Sequence, residues 1–154
     1  KTLSMSNCQI TSCEWISPLI YMTDLESLSL SHNNIDGFSV QTLSDTIQKC
    51  ACLRHLNISH NNLNTIQAGC IGQLIKIHKG LISINLAGNN LPNEVISALI
   101  LGIYGNCTLR TLNLAWCNLS IDNASLLCNA LAENSLLELN LDFNPIPDDM
   151  RINP

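Results

Sequence analysis

Residues Leu53–Leu63 read LRHLNISHNNL, with apolar side chains at Leu53, Leu56, Ile58 and Leu63 and an amide at Asn61. The same eleven-residue frame returns at Leu25–Ile35 (LESLSLSHNNI), Leu81–Leu91 (LISINLAGNNL), Leu109–Leu119 (LRTLNLAWCNL) and Leu136–Ile146 (LLELNLDFNPI). A headless copy, Leu3–Ile10 (LSMSNCQI), opens the chain. The first apolar residue of each L-x-L core falls at Leu3, Leu28, Leu56, Ile84, Leu112 and Leu139, so successive copies are 25, 28, 28, 28 and 27 residues apart. Self-similarity at a fixed period of this size means stacked structural repeats.

Each L-x-L predicts a short strand whose two apolar residues point inward and whose middle residue points out, because strand side chains alternate. A repeat of this length leaves about 17 residues between frames, room for a helix of two to three turns and its connections. The linkers carry the helical pattern. Val40, Leu43 and Ile47 mark one buried face in Gly37–Lys49, and Cys70, Leu74 and Ile77 mark one in Ala68–His78. Val95 or Ile96, Leu99 and Ile103 do so in Asn93–Tyr104, and Ala124, Leu127 and Leu131 in Asp122–Glu133. Pro92 is well placed just before the third of these helices, and Ser120 or Asp122 suits the cap of the fourth. The first linker, Thr11–Asp24, is shorter and contains Pro18, so a regular helix is least favoured there.

A strand and a helix cannot bury their apolar sides alone, whereas stacked copies share one core. Strands stack about 4.8 Å apart and helices pack at roughly 8–10 Å. The helical side is therefore the longer one, and the array curves with its parallel sheet inside. The column Asn33, Asn61, Asn89, Asn144 falls where the chain leaves each strand. A buried amide there bonds backbone groups that the turn leaves unpaired. Cys8 and Cys117 take the same column, and a thiol is smaller and a weak donor, so the turn should differ at those two repeats.

The period near 28, the helical linkers and the Asn/Cys alternation resemble the leucine-rich repeat signature L-x-x-L-x-L-x-x-N/C-x-L. Within it they resemble the ribonuclease-inhibitor-like class, over Leu3 to Ile146. The resemblance implies an α/β fold: a curved solenoid, or horseshoe, with a parallel β-sheet on the concave face and helices on the convex face. Residues 1–154 are expected to form one domain of about six repeats, with a truncated first repeat and an incomplete last one. Members of the class are mostly cytosolic binding proteins, including an inhibitor of secreted ribonucleases, ligand-sensing arms of nucleotide-binding immune receptors, GTPase-activating proteins and delivered bacterial effectors. The resemblance thus implies binding of another protein in the cytoplasm, of its own cell or of a host cell. It also leaves open a spacer or ligand-sensing segment of a larger receptor or effector. The low charge and the 20 asparagines depart from the strongly acidic surface of the ribonuclease inhibitor.

Composition narrows the alternatives. A net charge of −5 and a pI near 5.1 argue against a dedicated nucleic-acid binder. No apolar run is long enough for a membrane span, so neither a spanning helix nor a signal peptide is expected. The spacing of the eight cysteines places few pairs within bridging reach, so reduced thiols and a reducing compartment are expected. The tail after Asn144, PIPDDMRINP, reads as a loop running off the last repeat.

The residues of the sheet face fall in columns. One is Ser4, Ser29, Asn57, Asn85, Asn113, Asn140, and the next is Ser6, Ser31, Ser59, Ala87, Ala115, Asp142. A third, at the strand exit, is Asn7, His32, His60, Gly88, Trp116, Phe143; a fourth, at the strand's lead-in, is Thr2, Ser27, His55, Ser83, Thr111, Glu138. Trp116 beside Phe143, with Glu138 and Asp142 near, resembles an interface anchor with a polar rim. The candidate protein-binding residues on the concave face are therefore Trp116, Phe143, Asn113, Asn140, Asp142, Glu138, His60, Asn57 and His32. His32 and His60 are in adjacent repeats, but two imidazoles without matched third and fourth ligands are no zinc signature, and no metal or cofactor is expected. No catalytic motif occurs, so no enzyme is expected; the distant alternative is a thiol enzyme, for which Cys52 and His55 are the nearest pair in sequence. Sequons at Asn57, Asn106, Asn118 and Asn123 are about as frequent as chance allows in a chain this rich in Asn, Ser and Thr.

Overall fold

The computed structural model describes residues 1–64, 66–131 and 136–146. Six three-residue strands run in chain order: β1 Thr2–Ser4, β2 Ser27–Ser29, β3 His55–Asn57, β4 Ser83–Asn85, β5 Thr111–Asn113 and β6 Glu138–Asn140. They form one parallel sheet in the order β1-β2-β3-β4-β5-β6. The register follows the frame residue for residue: Leu3 opposes Leu28, then Leu56, Ile84, Leu112 and Leu139. Parallel strands need a crossover, and each linker supplies it. A 3-10 helix, Glu14–Tyr21, fills the first linker. α1 Gly37–Ile47, α2 Cys70–Ile77, α3 Asn93–Tyr104 and α4 Ile121–Leu131 fill the others, α2 being preceded by a 3-10 turn at Ile66–Gly69. Pro18 lies inside the first of these and holds it to the tighter 3-10 form. Asp36 caps α1 by accepting from the Ser39 N–H at 2.7 Å. Ser120, the better of the two candidates for α4, accepts from the Asn123 N–H.

The core is one continuous stack. Leu28, Leu56, Ile84 and Leu112 are buried, as are Leu30, Ile58, Leu86 and Leu114 one step beyond. Opposite them sit Val40, Leu43 and Ile47 of α1, and Val95, Ile96, Leu99 and Ile103 of α3. On α2 the expected face is rotated. Ile71, Leu74 and Ile75 are buried, Cys70 is half-buried and Ile77 points outward at 39% exposure. The cause is a close approach of α2 to α3 through glycine: a Cβ on Gly72 would fall on the carbonyl of Ala98, and one on Gly102 on the carbonyl of Gly72. Ala124 and Leu127 of α4 are buried as expected; the Leu131 side chain and the tail from residue 147 lie outside the described residues.

The asparagine column does the work expected of it. Asn33 Oδ1 accepts from the N–H groups of Cys8 and Ile10 in the preceding repeat, and its Nδ2 donates to the carbonyls of Met5, Leu30 and Ser31. Asn61, Asn89 and Asn144 repeat the pattern. At Cys117 the thiol still donates, to the carbonyls of Leu86 and Ala115, but has no amide oxygen with which to accept. The Leu91 N–H goes instead to the backbone carbonyl of Cys117 at 3.3 Å. The turn differs accordingly. Asn118, next to Cys117, takes a φ of 57°, and Gln9, next to Cys8, does the same, whereas no residue after a column asparagine does so.

A second polar ladder lies at the C-terminal ends of α1, α2 and α3. Cys50, His78 and Asn106 are spaced by the repeat and all buried. Cys50 donates toward the Leu19 carbonyl and Asn106 to that of Ile75. His78 Nδ1 accepts from the Gly80 and Leu81 N–H groups, which leaves Nε2 to donate to the Cys50 carbonyl at 3.2 Å. The ring is thus a neutral tautomer, and burial above all holds its pKa below the ordinary histidine range. The native state therefore binds fewer protons than the unfolded chain between that lowered pKa and about 6.5, so stability falls as pH drops through this window, by at most about 1.4 kcal/mol per pH unit for one proton. His78→Asn installs the residue that the next repeat uses. The gap in melting temperature between the parent and this variant is expected to shift in the variant's favour from pH 7 to pH 5. Parallel curves would show that His78 is not the titrating group.

Candidate functional site

The sheet face is built by three kinds of position. In the middle column Asn57, Asn85, Asn113 and Asn140 each turn Oδ1 back to accept the N–H two residues on, at 2.8–3.0 Å. This is the Asx-turn that asparagine forms readily. It helps end the strand and leaves the Nδ2 donors on the open face. In the first two repeats serines replace the amides, and Ser4, Ser6, Ser29 and Ser31 bond one another.

The next column departs from expectation. Ser31, Ser59, Ala87 and Ala115 are buried, and only Ser6 and Asp142, in the first and last repeats, are half-buried and exposed respectively. Ser59, Ala87 and Ala115 sit between the Asx-turn before them and a left-handed residue after them, and strands on both sides cover them; Asp142 has the same two turns but lies beyond the last strand, β6, and is exposed.

That left-handed residue is the third column. Asn7, His32, His60, Trp116 and Phe143 all have φ between 52° and 58°, and Gly88 has 71°. Left-handed backbone disfavours bulky side chains, and glycine is its default occupant. The repeat demands it at every turn, yet five of six copies place a full side chain there. His32 and His60 stack with centroids 4.2 Å apart, and the His60 ring covers the space that a Cβ on Gly88 would need. Burial first, and His32 second, lower the pKa of His60. Trp116 and Phe143 stack at 4.5 Å with planes 14° apart, while remaining 59% and 65% exposed. Glu138 and Asp142 are exposed and form no ion pair among the described residues.

The structure thus brings together Trp116, Phe143, Asn140 and Asp142 at the C-terminal end of the face, with Asn113 one strand away and Glu138 at the lead-in of the same strand. His32 and His60 form a separate pair two repeats earlier, and Asn57 lies on β3 beside them. Among the described residues no group of three or more His, Cys, Asp or Glu is arranged to hold a metal. All eight cysteines are free, with burial raising the pKa of Cys13 to about 11 and of Cys117 to about 12, and raising those of Cys50, Cys70 and Cys128. That is the opposite of what activates a nucleophile. Cys52 and His55 are both exposed and share no hydrogen bond. Of the sequons, Asn106 and Asn123 are buried and bonded within the fold, which leaves no room there for a glycan. No described helix is long and apolar enough to cross a membrane.

Sequence and structure comparisons agree with this architecture. A Leucine Rich Repeat family model matches residues 24–48 and 52–74, and a second model of the same description matches residues 105–127. No curated protein matches the chain. Among solved structures, the tropomodulin C-terminal domain of Caenorhabditis elegans superposes with a TM-score of 0.68 at 20% identity, covering 86% of this chain and 83% of that one. Such a likeness is one of fold. With the repeat models, the six in-register frames and the asparagine ladder, it gives the chain the fold of an α/β leucine-rich repeat solenoid.

Proposed function

We propose that the chain is a protein-binding module of the ribonuclease-inhibitor-like class. It grips its partner on the concave sheet, with Trp116 and Phe143 as the anchor. The stacked, solvent-facing ring pair carries this reading: two large aromatic side chains stand side by side in water, and a partner that covers them removes that apolar surface from it. Aromatic anchors surrounded by polar groups are where interface energy concentrates. Asn113, Asn140, Asp142 and Glu138 supply such a rim, and Asn57, His32 and His60 extend the face toward the first repeats. Eight free thiols suit a reducing compartment such as the cytoplasm, of its own cell or of a host. Residues 1–154 act as one unit on this reading.

The test is affinity capture from an extract of the source cells by the parent and by a Trp116→Ala, Phe143→Ala double variant. The variant is expected to lose the captured partner by about tenfold or more per anchor, with its melting temperature within a few degrees of the parent's. An unchanged set of captured proteins would move the interface off this face.

A further inference from the structure

We infer that the partner segment seated on Trp116 and Phe143 is basic, with an arginine side chain laid against the exposed ring pair and reaching Asp142. This rests on the concave-face reading above and names the chemistry of its occupant. Two observations carry it. The first is the charge of the face. The four sheet-face columns from Thr2 to Phe143 contain no Lys or Arg, and their only carboxylates are Glu138 and Asp142, both in the last repeat. Both are exposed and form no ion pair among the described residues. The nearby Arg110, at the lead-in to β5, turns its guanidinium back onto the carbonyls of Cys107 and Leu109. The second is the ring pair. Both rings are exposed, the negative faces of such rings attract cations, and Phe143 adjoins Asp142 in the chain. Guanidinium suits both features at once, because it is planar, weakly hydrated, stacks on indole and forks onto a carboxylate. An acidic segment would meet like charge here, and a wholly apolar one would leave Glu138 and Asp142 facing it unpaired.

The probe is tetra-arginine amide, titrated into the 15N-labelled full chain while the indole N–H resonance of Trp116 is followed. Tetra-glutamate amide and a neutral glucan hexasaccharide serve as comparators. Tetra-arginine is expected to give a saturable shift, weakened at least fivefold between 50 and 300 mM salt and at least fivefold by Asp142→Asn. That variant keeps both rings, and a spectrum otherwise like the parent's shows that it is folded. No shift with tetra-arginine, or an equal or larger one with either comparator, overturns the inference. If tetra-arginine fails while the Trp116→Ala, Phe143→Ala variant still loses its captured partner, the anchor stands and only its basic occupant falls. If both fail, the concave-face reading falls with it.

Discussion

Asn89→Ala is expected to remove about 3–5 kcal/mol of stability, a large share of what a domain of this size holds. Asn89 is fully buried, and its amide closes four backbone bonds. Oδ1 accepts from Asn61 and Leu63 N–H at 3.1 and 3.4 Å, and Nδ2 donates to the carbonyls of Ile58 and Leu86 at 3.1 and 2.7 Å. Alanine leaves all four groups in the stack without that partner, and each orphaned buried group costs about 1–3 kcal/mol before relaxation or entering water. Asn89→Cys is expected to cost less. Cys117 shows that a thiol in this column can still donate and that the backbone carbonyl can take over part of the accepting role once the next residue turns left-handed. Urea denaturation of the three proteins checks the order parent, Asn89→Cys, Asn89→Ala. A loss below about 1 kcal/mol for alanine would mean that the ladder is solvated and not structural.

That ladder also explains why the sheet could be read before any coordinates. The period is written into every frame by two apolar positions and one amide, and pairing Leu28 with Leu56, Ile84 and Leu112 is the one register that aligns all of them. The helices were legible where a single stripe existed, as at Val40, Leu43 and Ile47. They were ambiguous at Ala68–His78, where Cys70, Leu74 and Ile77 compete with Ile71, Leu74, Ile75 and His78. The second set is the buried one, and what selects it is Gly102, a full repeat away on another helix. His78 carries no such signal, since its kinship with Cys50 and Asn106 shows only in the column at the helix C-terminal ends.

The candidate site was legible in part. The frame put Trp116 next to Phe143, and the stack follows from their sharing a column on adjacent strands. Less visible was why that column faces outward. Gly88 is its one clue, a glycine standing where the other copies hold Asn, His, Trp or Phe, and so marking a backbone turned to positive φ. The burial of Ser31, Ser59, Ala87 and Ala115 was signalled only by their small size, which an exposed column shares. The partner's identity has no such trace, because a repeat scaffold constrains its own inward residues and leaves the exposed ones to whatever it binds.

Gly102→Val is expected to cost more than about 3 kcal/mol and Gly102→Ala about 2 kcal/mol, in spite of the gain of up to about 1 kcal/mol that removing a helix glycine brings. Gly102 faces Gly72 across the α2–α3 contact, and a Cβ would clash with the Gly72 backbone carbonyl, which has no rotamer to give. The two helices must then part, opening the core over Leu74, Ile75 and Leu99. Gly105 and Gly69 supply the controls. A Cβ on Gly105 would press only on the flexible side chain of Lys76, and one on Gly69 would make ordinary contact with Ala98 Cβ at 3.5 Å, so alanine at either place should leave the melting temperature within about 3 °C of the parent's. Both controls lie at helix ends, Gly69 at the start of α2 and Gly105 just past α3, so they test the removal of a glycine where no backbone approaches closely. A Gly102→Ala protein that melts higher than the parent would mean that α2 and α3 stand farther apart, and the rotated buried face of α2 would lose its cause.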